Sequence, residues 1–295
     1  MKRGETDHRK HVIALREKAR VGPKRFQQLV SRFGSPENVY KASREEMLAL
    51  PRMTPEKVEE ILKSQDFFPE IEIHLLYLEE QGIGVCTIMD EGYPQLLRQI
   101  DDPPPLLYFR GEFPAKDQLF VAVVGTHRRY TTWGIELAVA IGKSLAERKV
   151  VVVSGLAEGI DTAAHVGAIS QGGKTYAVLG TGLNKIYPSE NVNLAEEISR
   201  SGALITEYGL NVPVKVGQLM ARNRIAVGLS QAVLIVELDE ESGKGTMDAA
   251  DAAVKQGKPL FVMRKENSKK VEELIADGAV PLEGIDDLDL VVKYL

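Results

Sequence analysis

The sequence predicts an α/β protein with a doubly wound, mainly parallel sheet, preceded by a small all-helical domain. From Phe120 onward, short apolar runs alternate with helical patterns, as in a parallel sheet whose strands are joined by crossover helices. The runs are nearly unbroken, for example Val150-Val151-Val152-Val153, and such strands are typical of a sheet that helices cover on both faces. Before residue 80 the apolar residues recur at helical spacing instead.

The α/β domain is expected to span residues 113–295, with strands and helices in strict alternation. The predicted strands are Phe120–Val124, Val150–Val153, Thr175–Leu179, Ala203–Thr206, Ala232–Glu237 and Pro259–Met263. The predicted helices are Trp133–Glu147, Asp161–Ser170, Val192–Ser201, Gln218–Gly228 and Thr246–Gln256.

Residues 1–80 are predicted to form the helical domain, and residues 81–112, which are rich in proline, a stiff linker. Ser35, Ser43 and Thr54 mark helix starts, because each is a capping residue followed by proline or acidic residues.

The turn Arg20–Arg25 contains Gly22-Pro23 and resembles the turn of a helix-hairpin-helix, where backbone N–H groups hold a phosphate. The companion turn Leu50–Thr54 lacks glycine, so we favour a purely structural helical module and keep contact with DNA as the alternative.

Composition excludes several classes of protein. The chain is 44% hydrophobic and 27% charged, and no apolar run reaches the roughly 18 residues that span a bilayer. No secretory core follows the basic start, and the single cysteine, Cys86, excludes an internal disulfide framework. We therefore expect a cytoplasmic protein without a membrane partner. The net charge of −5 does not exclude nucleic acid, because the residues up to Arg25 are strongly basic.

In doubly wound sheets ligands bind at the carboxyl ends of the strands, and here the turns at that edge are rich in glycine. Turn geometry alone also requires glycine, but four such turns at one edge, with cations among them, predict a rim that binds phosphate. The candidate residues are Gly125, Thr126, His127 and Arg128; Ser154, Gly155 and Gly159; Gly180, Thr181 and Gly182; and Ser242, Gly243 and Lys244.

The run Arg222-Asn223-Arg224 adds two more cations in a predicted amphipathic helix. The arginines could make bidentate contacts with phosphate or hold neighbouring carboxylates. Residues two apart point in different directions on a helix, so we expect one arginine to face the pocket and the other to pair with an acid such as Glu207.

No enzymatic machinery is apparent. The turn after the first strand lacks the GxGxxG fingerprint, Gly243-Lys244-Gly245-Thr246 lacks the spacing of a P-loop, and no paired cysteines or HExxH motif occur. His165 is expected to be a packed histidine, and Asp161 a helix cap in preference to an acid-base residue. We therefore predict no catalytic residues, no metal and no cofactor.

These motifs resemble the DNA-processing protein A family (DprA/Smf) over roughly Val12 to Gly278. The residues that carry the resemblance are Ser154–Asp161 with Ala164-His165, Gly172–Thr175, Ala177–Leu183, Tyr187-Pro188, Glu207-Tyr208 and Arg222–Ser230, together with Tyr93-Pro94 and Asp102-Pro103-Pro104 in the linker.

The resemblance implies a sterile-alpha-motif-like helical domain and an extended Rossmann-like domain. It also implies a protein that binds and protects incoming single-stranded DNA, helps to load a RecA-type recombinase in natural transformation, and forms a homodimer. It implies no catalysis.

By the same resemblance, Arg128 takes the arginine position of the family's first loop, with one residue inserted, and Lys215 matches a basic position. Two segments depart from the family pattern: Ser242–Met247, which alters one wall of the pocket, and Val262–Lys265, which replaces a Pro-Gly turn. Some members append a winged-helix domain, and from this sequence we expect none here.

The expected binding mode is sequence-tolerant contact with the backbone of a single strand by the glycine-rich turns and the cations, with limited base stacking because aromatic residues are few. The alternative is a nucleotide-processing hydrolase that resembles the lysine-decarboxylase-like phosphoribohydrolases, whose GGxGT loop Ser242–Thr246 partly matches. That family has a glutamate where this chain has Ala249, and Asp248 lies one place early.

Overall fold

The computed structural model describes residues 7–241 and 243–295, and the chain forms two compact units. The first unit runs to Tyr93 and includes Asp101–Tyr108, and the second contains Pro94–Ile100 and Phe109–Leu295. The division into a helical domain up to residue 80, a linker up to residue 112 and an α/β domain stays a prediction. The segment between them contains two strands and a short helix, and its residues are divided between the two units.

The first unit is built from short helices whose starts follow the capping residues in the sequence. The Ser35 hydroxyl accepts from the N–H of Asn38, and Thr54 caps its helix in the same way. Ser43 forms a capping box with Glu46. The elements are α1 (Asp7–Ile13), continued by a π-helical turn (Ala14–Lys18), α2 (Pro23–Phe33), α3 (Pro36–Val39), α4 (Arg44–Leu48), α5 (Pro55–Lys63), a 3-10 turn (Ser64–Phe67), α6 (Phe68–Glu80) and β1 (Ile83–Thr87).

The turn before α2 has a clear structural role. Gly22 is the N-cap of α2 and Pro23 its first residue. The Arg25 guanidinium donates to the carbonyl oxygens of Pro51 and Arg52, at 2.7 Å each, so it joins this turn to the companion turn. Contact between this turn and DNA stays a prediction.

The second unit contains the α/β domain. Strand β2 (Leu106–Gly111) is divided between the two units. The later strands all belong to the second unit and are β3 (Leu119–Val124), β4 (Val150–Ser154), β5 (Thr175–Val178), β6 (Ala203–Thr206), β7 (Ala232–Ile235), β8 (Leu260–Met263) and β9 (Val280–Leu282). Its helices are α7 (Gln95–Arg98), α8 (Thr132–Glu147), α9 (Ile160–Ser170), α10 (Val192–Ser201), α11 (Val216–Ala221), α12 (Asn223–Leu229), α13 (Lys244–Lys255), α14 (Lys269–Ala276) and α15 (Leu288–Lys293), with 3-10 turns at Ser189–Asn191 and Ile285–Asp287.

The sheet of this unit is doubly wound, as predicted. From β3 to β9 the strand order is β6-β5-β4-β3-β7-β8-β9, and every neighbouring pair is parallel. Val121 of β3 lies opposite Val152 of β4 on one side and Ala232 of β7 on the other. The direction of winding therefore reverses at β3, which places the carboxyl end of β3 at the switch point where such folds bind ligands.

Alternate residues of the central strands pack into two separate cores, one on each face. Val121 and Val123 face α8, α9 and α15, whereas Ala122 and Val124 face α12, α13 and α14. Because both faces are covered, the strands are apolar throughout, and this explains the unbroken runs of valine in the sequence.

Candidate nucleic-acid interface

The loops after β3, β4 and β7 contact one another at the switch point. The N–H of Thr126 donates to the carbonyl oxygen of Glu237 at 3.0 Å, which joins the β3 and β7 loops. The N–H of Ile160 donates to the carbonyl oxygen of Thr126 at 3.4 Å, which joins the β3 and β4 loops. The structure therefore brings the predicted turns after β3 and β4 together with the start of the loop after β7.

The loop after β4 is organised by the buried carboxylate of Asp161. One oxygen, Oδ2, accepts from the N–H groups of Gly155 (3.1 Å) and Ala157 (3.4 Å) and lies 3.4 Å from Nη2 of Arg222. The prediction that Asp161 caps its helix is wrong, because the N-cap of α9 is Gly159 and the carboxylate reaches back into the loop. These two N–H groups are bound within the protein and do not face a ligand.

Gly155 allows Arg222 to approach the loop closely. A Cβ on Gly155 would lie 1.6 Å from Cζ of Arg222, so no larger residue fits while the guanidinium keeps its place. The Arg222 side chain is only 8% exposed. Ser154, another predicted phosphate ligand, is fully buried and its hydroxyl donates to the carbonyl oxygen of Val123 at 2.6 Å.

The other two residues of the Arg222–Arg224 run point elsewhere. Arg224 forms an ion pair with the buried Glu207 at 2.6 Å, the partner expected from the sequence. Asn223 donates to the carbonyl oxygen of Gly245 at 3.1 Å and so holds the start of α13. The predicted single helix is divided at Arg222 into α11 and α12. Both arginines are therefore used by carboxylates, and direct contact with phosphate by either one stays a prediction.

The loop after β3 presents its charged side chains to solvent. Thr126 is buried, and its hydroxyl donates to the carbonyl oxygen of Arg128. The side chains of His127 and Arg128 are exposed. The end of the loop is fixed by the buried carboxylate of Glu237, which accepts from the N–H of Thr131 at 3.0 Å and from its hydroxyl at 2.7 Å.

Gly125 and the glycines after β5 pack against neighbouring chain segments. A Cβ on Gly125 would meet the Ile160 side chain at 2.6 Å, and a Cβ on Gly180 would meet the backbone N of Leu219 at 2.9 Å. The N–H of Gly182 donates to the carbonyl oxygen of Val212, in the loop after β6, and Thr181 is buried. Close packing therefore accounts for these residues, and a role in phosphate contact stays a prediction.

Two further predicted cations are exposed. Lys215 is the N-cap residue of α11, and Lys244 is the first residue of α13. Gly243, the N-cap of α13, is buried with a positive φ of 27°. Ser242 lies outside the described residues. Of the five cations predicted to bind phosphate, Arg128, Lys215 and Lys244 are thus open to solvent, whereas Arg222 and Arg224 belong to ion pairs.

Sequence reasoning missed Glu237 and the bracing role of Asp161. Glu237 is the last residue of the predicted apolar strand Ala232–Glu237, and a carboxylate at such a position is a usable signal for a functional edge. The partners of both residues lie far away in the sequence and are visible only in the fold.

His165 is packed in the core, as expected. Its Nδ1 lies 2.6 Å from the Thr175 hydroxyl, which donates its own hydrogen to the carbonyl oxygen of Val152 at 2.8 Å. Nδ1 therefore donates, and the proton is absent from Nε2. Burial, with a smaller contribution from the charge of Arg222, lowers the pKa of His165 from 6.5 to about 3.

This lowered pKa predicts a specific loss of stability in acid. The folded protein keeps His165 neutral, whereas the unfolded chain takes up a proton below pH 6.5, so stability is lost as the pH falls toward 3. Between pH 7.5 and 5, the wild type should lose about 2 kcal/mol more unfolding free energy than His165→Gln, measured by urea unfolding. A His127→Gln control should follow the wild type. Parallel losses in wild type and His165→Gln would contradict this assignment.

The described residues match neither the catalytic pattern of the phosphoribohydrolases nor a metal site. At the position where the phosphoribohydrolases have glutamate, Ala249 is buried, and the neighbouring Asp248 accepts from Nδ2 of Asn223 at 2.9 Å. Within the described ranges, no group of three or more His, Cys, Asp or Glu side chains is placed to hold a metal ion. No helix in the described part of the chain is long and apolar enough to cross a membrane.

Comparisons with known proteins agree with this fold. The family model of DNA recombination-mediator protein A matches residues 84–292. Protein Smf from Synechocystis sp. is 35% identical over 230 residues, which are 76% of this chain and 56% of that protein. The chain thus spans little more than half the length of that curated relative.

Two solved structures are similar. DNA processing protein A from Streptococcus pneumoniae superposes with a TM-score of 0.79 at 29% identity and covers 95% of this chain and 96% of its own. DNA processing protein A from Helicobacter pylori, a protein described for its single-stranded DNA binding mode, gives a TM-score of 0.63 at 32% identity, covering 72% of this chain and 96% of its own.

Proposed function

This chain belongs to the DNA recombination-mediator protein A family, and we propose that it binds single-stranded DNA along the rim at the carboxyl ends of its parallel strands. The observation that carries the proposal is the exposure of Arg128, Lys215 and Lys244 at that rim. The single-stranded DNA binding described for the Helicobacter pylori relative supports it.

The binding mechanism that we propose is electrostatic and non-catalytic. The three exposed cations contact backbone phosphates, and affinity is therefore tolerant of sequence and sensitive to salt. The buried pair Asp161–Arg222 and the pair Glu207–Arg224 hold the loops that carry this surface.

We further propose that the bound strand is protected and passed to a RecA-type recombinase during natural transformation, and that the protein acts as a cytoplasmic homodimer. Family membership supports this part of the proposal. The expected assay result is faster strand exchange by a RecA-type recombinase on single-stranded DNA when the protein is present.

Titration by fluorescence anisotropy tests the binding itself. Labelled oligo-dT should bind more tightly than a duplex of equal length, and its affinity should fall linearly on a double-logarithmic plot against salt concentration. An equal affinity for duplex, or an affinity independent of salt, would contradict the proposal. Release of free base from nucleoside monophosphates would instead support the hydrolase alternative.

A further inference from the structure

Tyr130 is an exposed aromatic side chain in the loop that carries Arg128. It is 38% exposed and lies two residues after Arg128, on the rim at the switch point of the sheet. An aromatic ring open to solvent beside a cation matches the two needs of a single-stranded nucleic acid, whose phosphates require positive charge and whose bases require a flat apolar surface.

The Tyr130 ring is held in place from two directions. Its hydroxyl donates to Oε1 of Glu158 at 2.7 Å. The ring also rests on Gly159, where a Cβ would lie 2.6 Å from Cδ1 of the tyrosine, and the positive φ of 86° at this position independently favours glycine. Because these two contacts restrict the ring, little conformational entropy is lost when another planar group packs on it.

A second exposed aromatic residue, close to this loop in the sequence, has a different environment. The indole of Trp133 is 40% exposed, but Nζ of Lys265 lies 5.5 Å from its ring centroid. That ammonium is itself bound to Glu237 at 2.6 Å, so it stays over the indole. A cation therefore already lies over the indole of Trp133, and we take Tyr130 as the better candidate for stacking.

We propose that Tyr130 is a stacking platform for one base of the bound single strand. The inference rests on the proposed function and changes its mechanism, because the sequence predicted little base stacking. Stacking on tyrosine accepts every base, since each has a π face, and it adds a contribution to affinity that does not depend on phosphate.

The test compares oligo-dT with a fully abasic oligonucleotide of equal length, which has the same phosphates and no bases. The wild type should bind oligo-dT about tenfold more tightly than the abasic strand. Tyr130→Ala should lose that preference and bind the abasic strand as the wild type does. Tyr130→Phe keeps the ring and its contact with Gly159, and should retain the preference.

A matched control is Tyr294→Ala. Tyr294 is 54% exposed and follows α15, whose first turn bonds to Arg148 at the carboxyl-terminal end of α8, away from the rim. This variant should bind both oligonucleotides as the wild type does.

The outcomes separate the two proposals. If the wild type binds neither strand, the proposed function fails. If it binds oligo-dT and the abasic strand equally, or if Tyr130→Ala keeps the preference while remaining folded by circular dichroism, DNA binding stands and the stacking proposal is overturned.

Discussion

Replacing Asp161 by alanine is expected to lower the free energy of unfolding by about 3–5 kcal/mol, because it leaves a buried arginine without its carboxylate. The Arg222 and Asp161 side chains are 8% and 7% exposed, so water cannot readily replace the lost partner. The substitution also removes the acceptor for the N–H groups of Gly155 and Ala157. Urea unfolding followed by circular dichroism measures the effect.

A surface pair provides the control. Asp289 bonds to Arg148 at 2.8 Å but is 70% exposed, so Asp289→Ala should cost less than about 1 kcal/mol. Asp161→Asn, which keeps an acceptor oxygen and loses the charge, should fall between the two. Equal stabilities for Asp161→Ala and Asp289→Ala would show that the buried pair does not support the loop.

The helices and strands of the α/β domain could be predicted because the sequence patterns that indicate them are local. The helix Val192–Ser201 and the strand Ala203–Thr206 have the predicted bounds, since an amphipathic stretch, a glycine and an apolar run follow one another there. The sequence predicted a doubly wound sheet but not the order of its strands, because the pairing of β3 with β7 joins residues about a hundred positions apart.

The chemistry of the rim depended on contacts that a local pattern does not contain. Asp161 has the sequence position of a helix cap, and only the approach of Arg222, 61 positions away, gives its carboxylate another role. Likewise, glycine-rich turns suggested an anion cradle, whereas Gly155 is required chiefly by the close approach of a guanidinium. A glycine in the sequence does not reveal whether a ligand or the protein itself occupies the space beside it.

Simultaneous replacement of Arg128, Lys215 and Lys244 by alanine is expected to weaken oligo-dT binding about 100-fold, from about 1 kcal/mol for each phosphate contact. All three side chains are exposed, so the folded structure should be retained. The slope of the logarithm of affinity against the logarithm of salt concentration should become shallower by about 2, since each contact on a single strand contributes about 0.7.

The change in slope distinguishes direct contact from a general effect of charge. Lys143, Lys149 and Lys255 are also exposed. Lys149 and Lys255 lie at the ends of the helices that lead into β4 and β8, at the opposite edge of the sheet, and Lys143 lies in the carboxyl-terminal half of α8. Replacing these three by alanine removes the same net charge and should leave the slope unchanged. If both triple variants change the slope equally, the slope does not single out the three rim cations, and the proposal that the phosphates follow the rim is contradicted.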